Sequence, residues 1–101
     1  MTVSIEDQLH QLGEGIDSID SQIVRLLAER EKLVLRAGAV KQAAGLPVIR
    51  TDVEDRRLVT VRLDAQSRQL NPDDVAAIFV CIRNLAYRAQ IGQIQSKGAA
   101  A

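Results

Sequence analysis

The stretch IDSIDSQIVRLLAER, residues 16–30, decides the fold. Ile16, Ile19, Ile23 and Leu26 recur at steps of three and four, the spacing of a helix with one buried seam. The same rhythm reaches back through Leu12, Leu9 and Ile5 and forward through Leu33, Ala37 and Val40. Arg30 stands in that seam between Leu26 and Leu33, where a leucine belongs. A guanidinium keeps its charge and is costly to bury alone, so Arg30 demands an anionic partner in the interior. A bound substrate is one candidate for that partner.

Working outward, Ser4-Ile5-Glu6-Asp7 predicts a helix start near Ser4 or Asp7, with a capping hydroxyl ahead of first-turn acids. Gly13, Gly15 and Gly38 each cost about 1 kcal/mol of helix propensity, yet the seam runs through all three, so one helix is expected to about residue 44. A helix that long is not covered by the short segments that remain, and a second copy of it is the simplest cover. Gly45-Leu46-Pro47 ends it, glycine suiting a left-handed cap and proline stopping continuation. Thr51 or Asp52 is expected to cap a second helix, whose face carries Glu54, Leu58, Val61 and Ala65. Asn71-Pro72-Asp73-Asp74 predicts a third, with Asn71 as cap and Pro72 in the first position. Its apolar stripe reads Val75, Ile78, Phe79, Ile82, Leu85, Ala86 and Ala89. The tail from Ser96 to Ala101 is expected to fray. The fold class is therefore all-α, three helices in a single domain over residues 1–101, with no internal repeat or domain boundary.

Composition narrows the chemistry. The chain has 101 residues, 13 basic and 13 acidic side chains, and Phe79 and Tyr87 as its only aromatics. Balanced charge offers no general pull toward nucleic acid or an anionic membrane, and stacking platforms for bases are absent. Cys81 and His10 are each alone of their kind, which excludes an internal disulfide and predicts no metal site. The opening MTVSIEDQLH lacks the pattern of a signal peptide, and no apolar run approaches a membrane span, so a cytoplasmic location is expected.

Four polar residues interrupt apolar faces. Lys41 follows Arg30 by eleven residues, just over three whole turns, and returns to the same side of the helix within about 20° and roughly 16 Å along the axis. Glu54 lies on the face of Leu58 and Val61, and Gln90 extends the face of Phe79, Ile82 and Ala86. Each has a plainer reading alone: Arg30 bridging to Glu29, Glu31 or a partner-chain acid, Lys41 solvated near a helix end, Glu54 facing its own helix N-terminus, Gln90 bonded between helices. Together they describe a pocket for an anionic, hydroxylated small molecule.

The residues Ile16-Asp17-x-Ile19-Asp20-x-x-Ile23-x-x-Leu26-Leu27-x-x-Arg30, Gly38-x-x-Lys41, Pro47-Val48, Glu54 and Gln90 give the chain a resemblance to the all-helical chorismate mutases, the AroQ class. The register runs without a gap from Leu12 to Gln90. The resemblance implies an intertwined helical homodimer that converts chorismate to prephenate, a step of aromatic amino acid biosynthesis from the shikimate pathway, by an intramolecular Claisen rearrangement with no cofactor. It implies that Arg30 clamps a substrate carboxylate, that Lys41 meets the ether oxygen and a carboxylate, and that Gln90 is the second donor to that oxygen. Glu54 would accept from the substrate hydroxyl or, if protonated, donate near it.

The chain also departs from that pattern. Gly13 and Val53 stand where the family carries arginines, Arg50 where it carries an acid after the Pro-Val turn, and Ala86 where it carries a serine. Arg50 is a new cation that replaces one missing contact in this reading, with Arg56 or Arg57 as alternatives. Losing a charge-assisted hydrogen bond costs about 1.5–3 kcal/mol, so these changes bear on activity and on substrate. Two related enzymes on this scaffold stay open: a mutase of 4-amino-4-deoxychorismate and a lyase releasing pyruvate from isochorismate. So does a catalytically silent helical dimer that binds a partner enzyme, which Gly13 favours and the retained Arg30, Lys41, Glu54 and Gln90 disfavour.

Overall fold

The Ser4 hydroxyl accepts a hydrogen bond from the Asp7 amide at 3.0 Å, and from Ile5 to Ala43 the chain of the computed structural model is one helix, α1. The structure describes residues 2–100, with side chains for residues 2–96. Two more helices follow, α2 over Thr51–Ser67 and α3 over Pro72–Ala100, and no strand occurs among the described residues. The all-α expectation holds, with α1 ending within a residue of the predicted boundary. The fraying expected from Ser96 onward falls, beyond Ser96 itself, on residues whose side chains lie outside those described; the backbone is helical to Ala100.

The chain divides into two units, Met1–Arg30 and Glu31–Ala101. The first is helix and its cap, with no second element to pack on. Its seam residues are exposed in consequence, from 49% at Ile23 to 75% at Ile5. Only Gly13, Leu27 and Arg30 fall short of full exposure there. An isolated helix has little stability of its own in water, most of it coming from packing of the apolar face.

The second unit holds the last turns of α1 with α2 and α3. Gly45 takes the left-handed conformation expected of it (φ 70°). The Leu46 amide bonds the Lys41 carbonyl at 2.9 Å and the Gly45 amide bonds that of Gln42 at 3.2 Å, closing the end of α1 in a Schellman motif. At the start of α2 the structure corrects the sequence: Arg50, not Thr51 or Asp52, occupies the cap position, in extended conformation and with no side-chain cap. Thr51 is already helical, and the first-turn acids Asp52 and Glu54 answer the helix dipole instead. Along α2 the predicted face is the covered one, ending on Ala65, which is 3% exposed.

Gln69 ends α2 with φ 61°, a left-handed position held by a residue with a Cβ. Leu70 and Gln69 amides bond the carbonyls of Ala65 and Gln66 in a second Schellman closure. Asn71 then caps α3, its Oδ1 accepting from the Asp73 and Asp74 amides at 2.9 and 3.1 Å, and Arg62 of α2 pairs with Asp73 across the turn.

On α3 five residues of the predicted stripe, Val75, Phe79, Ile82, Ala86 and Ala89, are covered, while Ile78 and Leu85 are exposed. The covered arc is shifted toward Ala76, 4% exposed, and Gln90, 6% exposed, with Val80, Arg83 and Tyr87 half-buried. The reason is that α3 serves two neighbours, α2 and the end of α1, and small Ala76 permits the close approach that a large stripe would prevent.

The joint with α1 is polar. Gln93 Nε2 donates to the Leu35 carbonyl at 2.9 Å and Gln90 Nε2 to that of Val34 at 3.5 Å. Gly38, buried, leaves the room: a Cβ there would stand 2.7 Å from Gln93 Oε1 and 3.7 Å from Gln90 Cγ.

Two expectations follow from these joints. Gln69→Gly relieves the left-handed strain and should raise stability by about 1 kcal/mol in urea unfolding. Gly38→Val should lower it by about 1–3 kcal/mol, since a branched side chain displaces both amides; a midpoint equal to wild type would show that α3 does not close on α1 there.

Candidate functional site

Lys41 lies one turn beyond Gly38, roughly 4.5 Å along α1. Its half-buried ammonium donates to the Val48 carbonyl at 3.1 Å, tying the last turn of α1 to the Pro47-Val48 turn. This is not the solvated helix-end lysine of the plainer reading. An ammonium has three donors, and after this bond two remain for a ligand. Gln90, buried and 6% exposed, reaches the same stretch of α1 from α3. Its bond to Val34 is at the long edge of hydrogen-bond range, so the amide is placed by packing more than by that bond.

Glu54 sits in the first turn of α2 with its side chain 17% exposed, and pairs with Arg57 Nη1 at 3.1 Å. Arg56 pairs with Asp52 at 3.7 Å on the exposed side of the same turn. Of the three arginines considered as replacement cations, Arg56 and Arg57 therefore hold acids of their own helix. Arg50 is exposed and makes no ion pair among the described residues. Ala86 is half-buried on α3.

Arg30 closes the first unit, half-buried while the seam around it is exposed. Glu29 is engaged by Arg25 at 2.9 Å, and no described carboxylate pairs with Arg30. The bridge to Glu29 is thus not made.

Sequence reasoning passed over Gln93 and Arg83. Gln93 Oε1 is enclosed beside Gly38 with no donor, and Arg83 Nε is enclosed with no acceptor. The signal for Arg83 was present: Ala76, Arg83 and Gln90 recur at seven-residue steps, and an arginine in that strip is the same anomaly as Arg30. Among the described residues no cluster of His, Cys, Asp or Glu is arranged to hold a metal ion, and no helix is long and apolar enough to cross a membrane.

Comparison with known proteins gives the chain a family. The family model described as chorismate mutase type II matches residues 12–91. The T-protein of Haemophilus influenzae is 34% identical over 71 residues, 70% of this chain and 19% of that protein. The bifunctional chorismate mutase/prephenate dehydratase of Aquifex aeolicus is 48% identical over 42 residues, 42% of this chain and 12% of that protein. The chorismate mutase of Methanocaldococcus jannaschii is 27% identical over 74 residues, 73% of each chain. This chain spans about a fifth of the length of the T-proteins it matches. No solved structure matches it. A match that begins at Leu12 and ends just past Gln90 takes in the seam from Leu12 onward, Arg30, Lys41, Glu54 and Gln90, and the chain belongs to the chorismate mutase type II family.

Proposed function

We propose that the chain is a chorismate mutase-type isomerase that converts chorismate to prephenate. In this reading residues 1–101 form one domain, paired with a second copy and working in the cytoplasm as the family assignment suggests. The observation that carries it is that a half-buried Lys41 ammonium stands one turn beyond Gly38 on α1, and the buried Gln90 amide packs against Gly38 from α3.

The rearrangement exchanges bonds within one molecule: the ether C–O bond breaks as a C–C bond forms. No nucleophile or cofactor takes part. Charge gathers on the ether oxygen as its bond lengthens, and donors already aimed there stabilise the transition state more than the ground state. Lys41 and Gln90 Nε2 are those donors. The substrate carboxylates must be held so that the molecule stays in a chair-like conformation. Arg30 and Arg50 are assigned to them, Glu54 to the ring hydroxyl, and Ala86 to the pocket wall.

Pairing is supported by the seam. Ile5, Leu9, Leu12, Ile16, Ile19, Ile23 and Leu26 form one exposed apolar stripe, and a second copy of the same stripe matches it in length and spacing.

Purified protein incubated separately with chorismate, 4-amino-4-deoxychorismate and isochorismate is expected to yield prephenate from the first, identified by mass spectrometry. Conversion of one of the others instead reassigns the substrate; consumption of none at high enzyme concentration leaves the silent-dimer reading. Lys41→Ala and Gln90→Ala should each lower kcat by about 100- to 1000-fold. In sedimentation the wild type is expected as a dimer and Ile19→Lys as a monomer; a monomeric wild type would remove the pairing.

A further inference from the structure

Arg83 lies midway along the covered strip of α3, seven residues from Ala76 and seven from Gln90, the two buried residues of that helix among those described. Its Nε is sealed from solvent with no hydrogen-bond partner, and no carboxylate pairs with it among the described residues. Two of the acids near its level are committed elsewhere, and a third, Asp55, is exposed. The Arg62–Asp73 pair sets α2 and α3 side by side across a short turn; about ten residues on from Asp73 and about ten back from Arg62, Arg83 stands level with the first turn of α2. There Asp52 is held by Arg56 and Glu54 by Arg57. One turn along α3 the Tyr87 ring stands 5.9 Å from the guanidinium carbon. A ring face holds a cation in place without neutralising it.

A permanent charge in a covered strip, with no counter-ion among the described residues, is a costly arrangement unless an anion completes it. We propose that Arg83 is a carboxylate-binding residue of the substrate pocket. The proposal rests on the mutase reading above, because the substrate class it names is the enol-ether dicarboxylate of that reaction. The unpartnered Nε–H together with one Nη–H forms the two-pronged edge that a carboxylate fits once the covering side chains make room. Gln90 follows two turns on, roughly 10 Å along the axis, on the same strip. Lys41, in the last turn of α1, has one donor given to Val48. A dicarboxylate calls for more than one cation, and Arg83 adds to the assigned Arg30 and Arg50 a guanidinium whose Nε–H is enclosed and unused.

The test combines kinetics with stability. Arg83→Leu is expected to raise the KM for chorismate by about 10- to 100-fold, the worth of a charge-assisted hydrogen bond, with a smaller effect on kcat. Its Tm should equal or exceed that of the wild type, because an unpaired covered charge has been replaced by an apolar group of similar length. Arg83→Lys should recover part of the affinity, with a KM that rises with salt. An unchanged KM in Arg83→Leu would overturn the assignment while leaving the mutase reading intact, as would a lowered Tm with unchanged KM, the mark of a purely structural arginine. Should Arg83→Leu fail to fold, Arg83→Gln makes the same comparison. A wild type that neither binds nor consumes chorismate overturns both.

Discussion

Gly38 leaves a bare patch of backbone near the end of α1, and two amides from α3 close on it. The arrangement of the second unit depends on that closure. Helix backbones seldom expose carbonyls to a neighbour's side chain, because Cβ atoms stand between them. Where glycine removes the Cβ, Gln93 reaches Leu35 and Gln90 lies along Val34. This joins a helix of the last third of the chain to the first, and it does so one turn from Lys41. Fold and site share the joint, so a change that loosens α3 also moves the buried amide assigned to the reaction.

The charges follow a consistent division. Exposed acids and bases pair along their own helices, as Arg25 with Glu29 and Arg68 with Asp64 do, and such pairs are worth little each. The half-buried cations behave differently. Lys41 bonds a turn carbonyl, and Arg30 and Arg83 meet no described carboxylate. Exposed cations such as Arg50 are unpaired too, but for the half-buried Arg30 and Arg83 an unmet charge is the costlier state. That distribution fits the dianion site proposed above without a strongly basic surface, which would also attract nucleic acid.

Much of this was legible in the sequence where a local rule and the fold point the same way. The long seam, the left-handed Gly45, the Asn71 cap and the α2 face from Glu54 to Ala65 are each decided by backbone sterics or by one neighbour. Legibility failed where the answer depends on a partner element. Apolar periodicity favoured Ile78 and Leu85 on α3, whereas the covered arc is set by meeting both α2 and α1 and is marked by Ala76, a residue with little hydrophobic signal. That shift hid Arg83. Thr51 and Asp52 are better caps than Arg50 by preference, but the path out of the Pro47 turn leaves Arg50 extended and Thr51 already wound. Nothing in a glutamine announces a left-handed residue at position 69. For the site, Lys41, Gln90 and Glu54 were identifiable as polar groups on apolar faces, while Gln93 and the Arg57 partner of Glu54 emerge only from side-chain geometry.

The bond from Lys41 to Val48 has a consequence for the timing of disorder. A free lysine side chain holds about 1.5–2 kcal/mol of rotamer entropy, which a ligand must ordinarily quench when it binds. Here the turn carbonyl quenches much of it when the chain folds, so an arriving anion meets an ammonium already stilled. The loop between α1 and α2 thus acts as a splint for the cation, lowering the ordering cost that any ligand of Lys41 would meet.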